Sequence, residues 1–223
     1  MTEPIQTIQS IQALFFDFDG VLVDSIRTKK RAFEILFKDF SDEIVNAVVL
    51  HHALHGGISR VEKIRHAHEN IIKDPLTEKE VMEWADRYSD LVVQDVIRAA
   101  WIKGAKDFLD AYASKQPVFM ISGTPEPELK YIVAQRKIGH YFKEVLGSPV
   151  KKPEHIRKLL EKYSLAPKQC VFIGDALTDY NAALETGLQF IGIQGDINFP
   201  DTVKPLPDCQ GLENAIKKIC PAF

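Results

Sequence analysis

Four short apolar runs that end in small or acidic residues constrain the fold of this chain more than any other feature. They are ALFFDFDG at 13–20, PVFMISGT at 117–124, CVFIGDA at 170–176 and QFIGIQG at 189–195, with a weaker fifth, KEVLGS, at 143–148. None alternates apolar with polar residues, so each reads as a strand buried on both faces, as in a parallel sheet. Between them lie helical patterns: EPELKYIVAQRKIG, KPEHIRKLLEKYSL and TDYNAALETG, the last closing on Gly187 as a helix C-terminus does. Strand and helix alternating in this way predicts a doubly wound α/β core. Its ligands belong at the carboxyl ends of the strands, where the polar residues of these runs sit.

Residues from about 28 to 98 break the alternation. They read as amphipathic helices: KKRAFEILFKDF, EIVNAVVLHHALH, SRVEKIRHAHENII and TEKEVMEWADRYSDLVVQDVIRAA. Thr77 followed by Glu80 predicts a helix start by the capping-box pattern. The expected organisation is a core of 1–27 and 99–223, with a helical insertion at 28–98 after the first strand. The chain re-enters the core near Trp101–Gly104.

Composition narrows the function classes. A chain of 223 residues with 45% hydrophobic and 26% charged residues can bury a core without disulfide or zinc staples. With a formal net charge of −3 and no clustered basic stretch, no nucleic-acid partner is expected. Cys170, Cys209 and Cys220 are odd in number and lack CxxC spacing, so three reduced thiols are expected. The polar N-terminus MTEPIQTIQSIQ is no signal peptide, and no apolar run is long enough to span a bilayer. A cytoplasmic location follows as the expectation, with no membrane and no obligate protein partner evident.

The stretch FFDFDGVLVDS carries the most chemistry. Asp17 and Asp19 stand two apart at a strand end, so both side chains can point to one side. Crowded carboxylates repel, and a hard divalent cation with a preference for oxygen relieves that repulsion. One carboxylate can then attack while the other handles a proton. A pair of solvated aspartates in a turn would show the same spacing. Ser122 with Gly123-Thr124, Lys152 before Pro153, and Asp175 with Asp179 stand at the ends of later predicted strands. Taken singly these are a turn residue, a surface lysine, a helix cap and a surface acid. Taken together, they converge on the edge where an α/β site belongs.

In order along the chain, FDFDGVLVDS, SGT, Lys152-Pro153 and GDALTD resemble the four motifs of the haloacid dehalogenase-like superfamily. The insertion directly after the first motif resembles the helical-cap subgroup, which includes phosphoglycolate phosphatases and β-phosphoglucomutases. The resemblance covers nearly the whole chain and is weakest at 1–12 and 196–223. It implies a Rossmann-like core with an α-helical cap and a Mg2+-dependent reaction through an aspartyl-phosphate. Asp17 would be the nucleophile. Asp19 would be the acid and then the base, lending its backbone carbonyl to the metal. Asp175 would be an acidic metal ligand, with Asp179 close behind. Ser122 and Gly123-Thr124 would hold the phosphoryl oxygens, and Lys152 would steady Asp17 and the transferring group. Dehalogenases of the superfamily lack an acid two residues after the nucleophile, so Asp19 favours phosphoryl transfer.

The insertion bears on the substrate. GGISRVEKIR at 56–65 resembles the cap stretch that carries an arginine over the site in β-phosphoglucomutase-like proteins, so Arg60 either reads a distal anion or makes a weak surface pair. Lys29 stands where the mutases carry a histidine, and Gly174 where they carry an acid. Both departures favour hydrolysis. Phosphonatases need an activated cap lysine, and nothing in the sequence marks Lys29, Lys30 or Lys63 as buried. His51, His52 and His55, with His66 and His68, are expected to be solvated or to line the insertion, and Phe33, Phe37 and Trp84 to form its core. The expected function is a phosphatase acting on a small phosphorylated metabolite, a sugar phosphate or a phosphoglycolate-like compound. A phosphomutase, a phosphonatase and a non-catalytic binding protein are the alternatives.

Overall fold

A computed structural model describes residues 10–223, and the N-terminal stretch 1–9, with its share of the first core segment, lies outside the described residues. The apolar runs form β1 (Ala13–Phe16), β2 (Val118–Pro125), β3 (Glu144–Ser148), β4 (Cys170–Gly174) and β5 (Gln189–Gly192). They pair in parallel in the order β3-β2-β1-β4-β5. All residues of β1 and β4 are buried, which is why these runs show no alternation. One face of the sheet presents Leu14, Phe16, Met120, Val171 and Ile173, the other Phe15, Phe119, Ile121 and Phe172.

The insertion contains α1 (Ile26–Leu36), α2 (Asp42–Leu54), α3 (Arg60–His66) and α4 (Glu78–Arg98). α4 begins on the expected capping box, with Thr77 and Glu80 exchanging side-chain-to-backbone bonds. The stretch SRVEKIRHAHENII departs from a single regular helix. After His66 it widens into a π-type turn over Ala67–Ile72, burying Ala67 and His68 together before Lys73 ends it at φ 65°. Phe33, Phe37 and Trp84 pack as the insertion's core, with Tyr88 beside Phe33 at 4.6 Å between ring centres.

The sheet is flanked by α5 (Ala105–Tyr112), α6 (Glu126–Gln135), α7 (Lys152–Lys162), α8 (Leu177–Thr186) and α9 (Leu212–Ile219). α9 buries Leu212 and Ile216, and the terminal Phe223 stacks on Tyr112 at 4.8 Å. The C-terminal stretch thus closes one side of the core. The two chain crossings between core and insertion are tied to each other, Asp24 N–H donating to Ala100 O at 2.9 Å. Arg136, directly after α6, donates to the carbonyls of Val96, Ile97 and Ala99 at 2.7–3.0 Å, holding the end of α4. All three cysteines are buried and unpaired, and no described helix is long and apolar enough to cross a membrane.

Candidate active site

The carboxyl ends of β1, β2 and β4 bring the motif residues together. Asp17 follows β1 directly, its N–H donating to Ile173 O at 3.0 Å, so the ladder fixes its backbone. Its side chain is buried and accepts from Phe18 N–H at 2.7 Å. Lys152 opens α7 and sends its ammonium to Asp17 Oδ2 at 2.9 Å and also to Asp179 Oδ1. Asp179 is fully buried on the first turn of α8 and accepts from Ala176 N–H at 3.1 Å. Carboxylate oxygens of Asp17, Asp175 and Asp179 lie within 4.8 Å of one another.

The electrostatics follow from this crowding. Burial raises the Asp17 carboxyl to about 7, against the opposing pull of Lys152 and helped by Asp179 and Asp19. Burial and the neighbouring Asp17 and Asp179 push Asp175 well above the usual carboxylate range. Lys152 is desolvated too, but Asp17 and Asp179 outweigh that and hold its ammonium charged. One lysine among three buried carboxylates leaves a local excess of negative charge. A donor set made of carboxylate oxygens alone, with uncompensated charge, fits a hard divalent cation. Gly20 is part of the same economy of space, since at φ 77° a Cβ there would stand 2.2 Å from Asp175 Oδ2.

Asp19 faces away from this cluster. Its carboxylate accepts from Ser25 Oγ at 2.6 Å, Thr124 Oγ1 at 3.1 Å and Ser122 Oγ at 3.4 Å, and pairs with the Lys29 ammonium. Burial pushes this carboxyl up, but Lys29 and the surrounding donors outweigh it, leaving it below its ordinary value. Ser122 is buried within β2, directly after its apolar run, and its Oγ accepts from Thr124 N–H at 3.1 Å. Gly123 lies against the insertion, and a Cβ there would meet Gly57 O at 2.3 Å. A cavity of about 80 Å³ remains between the two acids and the insertion.

Arg60 lines this cavity, but its guanidinium is engaged. It forms a two-pronged ion pair with Glu128 of α6, with one bond at 2.8 Å, donates to Ser89 Oγ, and lies 4.7 Å over the Tyr88 ring. Lys63 is the residue that the sequence left unmarked, and the structure buries it at 5% exposure on the cavity wall. Burial, with Lys29 nearby, lowers its ammonium to about 7. Its spacing was the available signal, since Arg60, Lys63, Ile64 and Ala67 recur on one helical face, and all four are buried. Of the histidines, His52 reaches the cavity, His51 stacks on His55 and His66 at 4.0 and 3.8 Å, and His68 is buried against Phe37 and Trp84. Glu128 carries no local signal, because its importance lies in a contact between elements far apart in the chain.

A family model described as haloacid dehalogenase-like hydrolase matches residues 11–187. The chain belongs to the haloacid dehalogenase-like hydrolases. Among curated proteins this hydrolase is similar to a phosphoglycolate phosphatase of Pseudomonas putida, 26% identical over 199 residues that cover 81% of this chain and 68% of the relative. A phosphoglycolate phosphatase of Aliivibrio fischeri is 24% identical over 210 residues, 91% of each chain. A solved structure from Haemophilus somnus, described as a predicted phosphoglycolate phosphatase, shares the fold at a TM-score of 0.72 and 22% identity. It covers 92% of this chain and 98% of that one.

Proposed function

We propose that this hydrolase is a magnesium-dependent phosphatase that cleaves a small phosphorylated metabolite through an aspartyl-phosphate on Asp17, with residues 28–98 as its cap. The observation that carries the reading is the buried acid cluster beside Lys152, with Asp19 lining the same cavity. Asp17, Asp175 and Asp179 would hold the cation, with the Asp19 backbone carbonyl. The bound ion supplies positive charge that offsets the repulsion between carboxylates and phosphate.

The reaction then needs only residues already in place. An Asp17 oxygen attacks phosphorus as the ester P–O bond breaks, and the leaving oxygen takes a proton from Asp19, whose carboxylate, paired with Lys29 before substrate enters, must first take one up. Water next attacks the aspartyl-phosphate and gives its proton to Asp19, releasing phosphate and restoring Asp17. Lys152 steadies Asp17 and the transferring group, while Ser122 and the Gly123-Thr124 backbone offer donors to the phosphoryl oxygens. Lys29 and Gly174 both support hydrolysis over isomerisation. Lys29 occupies one side of Asp19, where the mutases have a histidine. At 174, a Cβ would stand 2.3 Å from Asp179 Cβ, so no acidic side chain fits there as Asp179 is placed.

The test is phosphate release from a panel of phosphorylated metabolites with magnesium, beside an EDTA control and Asp17→Asn. Metal-dependent release that vanishes in the variant is the expected result. Isomer formation without free phosphate would overturn hydrolysis in favour of a mutase.

A further inference from the structure

The cavity over Asp17 and Asp19 is bordered by three cations from the insertion, and they differ in what already neutralises them. Lys29 is paired with Asp19 and donates to Thr124 Oγ1 at 2.9 Å. Arg60 is paired with Glu128. Lys63 has no carboxylate within ion-pair distance among the described residues, although it is as buried as Arg60. Among the described residues its ammonium hydrogen-bonds only to His52, the Nδ1 at 2.9 Å and the carbonyl at 3.2 Å. An ammonium carries three donors, so one is left over beside the cavity.

His52 is built to keep that arrangement. Its ring lies 4.6 Å from Phe33, and burial together with Lys63 and Lys29 holds it neutral, with its own value lowered to about 2. A neutral imidazole accepts from the lysine through Nδ1 and brings no compensating charge. A buried cation without a counter-ion is costly, and an anion delivered to the cavity removes that cost.

We infer that Lys63 is the residue that reads a second anionic group on the substrate's leaving portion, so the enzyme prefers small phosphomonoesters bearing a carboxylate over those with a neutral leaving group. This assignment rests on the phosphatase reading for its catalytic consequence. Its basis in the structure is separate, namely the unpaired donor of Lys63 on the wall of the cavity that holds Asp17 and Asp19. Arg60, the residue that the sequence offered for this task, instead fixes α3 against α6.

The test compares wild type, Lys63→Met and Lys63→Gln on phosphoglycolate, glycerol 3-phosphate and p-nitrophenyl phosphate, with glycolate binding followed by melting temperature. Wild type is expected to prefer phosphoglycolate over glycerol 3-phosphate by at least about 30-fold in kcat/KM, and both variants by less than about 3-fold. The loss should sit in KM for phosphoglycolate rather than in kcat. Glycolate should protect wild type against heat and neither variant. Lys63→Met is expected to melt no lower than wild type, because it removes a buried ammonium that its surroundings disfavour. Equal use of the two metabolites by wild type, or a preference that survives in both variants, overturns the assignment. Failure to release phosphate from any of the three substrates, with glycolate protection intact and lost on substitution, would sink the phosphatase reading and uphold this one.

Discussion

The ion pair of Arg60 with Glu128 joins α3 of the insertion to α6 of the core, and breaking it should loosen the insertion measurably. Arg60 is buried and Glu128 largely so, at 4% and 11% side-chain exposure, and the pair is two-pronged. Replacing Glu128 by Gln keeps the shape and removes the charge. The Arg60 guanidinium is then left with the Ser89 hydroxyl and the Tyr88 ring, neither of which carries a counter-charge. Removing one partner of a buried pair costs about 3–5 kcal/mol, and Gln can still accept one bond, so the low end, about 3 kcal/mol, applies. For a domain of this length each kcal/mol moves the midpoint by about 2–4 °C, so Glu128→Gln should melt roughly 6–12 °C lower. Arg60→Met should also destabilise, but the double variant should lose less than the two single losses added. The difference is a coupling energy of about 2 kcal/mol, read from urea unfolding of all four proteins. Additive losses, or a neutral Glu128→Gln, would refute the idea that this pair fastens the insertion.

Three further outcomes follow from the acid cluster. Asp17 and Asp175 have raised values in the folded chain, so the folded state holds more protons than the unfolded one above the ordinary carboxylate range. In EDTA, stability should therefore fall as pH rises from about 4 to about 7, and magnesium at about 100 times its dissociation constant should restore roughly 2.7 kcal/mol at pH 8. Identical melting curves in EDTA and magnesium would contradict this. Lys152→Met should lower kcat by about 10²- to 10³-fold in a phosphate-release assay, as expected for loss of a charge aimed at the transferring group. Retention of most of the wild-type rate would remove Lys152 from the mechanism. Gly20→Ala should cost about 1–3 kcal/mol for its left-handed backbone and, by displacing Asp175, should abolish thermal stabilisation by magnesium. A variant stabilised by magnesium as wild type is would show that Asp175 is not needed for the ion.

What could be read from the sequence, and what could not, divides along a physical line. Strand ends are visible because burial on both faces demands unbroken apolar runs, and the polar residue that ends such a run has one place to go. Asp17 after ALFF and Asp175 after CVFIG are fixed in this way by hydrogen-bonded ladders of neighbouring strands, while Ser122 after VFMI lies inside β2, where the pairing with β3 becomes irregular. Lys152 could be placed at the same edge for the same reason, as the first residue of α7 beyond β3. The insertion offers no such frame. A helical period says which residues share a face, so Arg60, Lys63, Ile64 and Ala67 could be grouped, but not what that face would meet. Glu128 meets Arg60, 68 positions away, and no local rule links them. Two basic residues three apart therefore come to have opposite uses. Arg60 lies where α6 presents a carboxylate and becomes a fastening. Lys63 lies one turn further along, where only a neutral histidine waits, and its charge remains available to whatever enters the cavity.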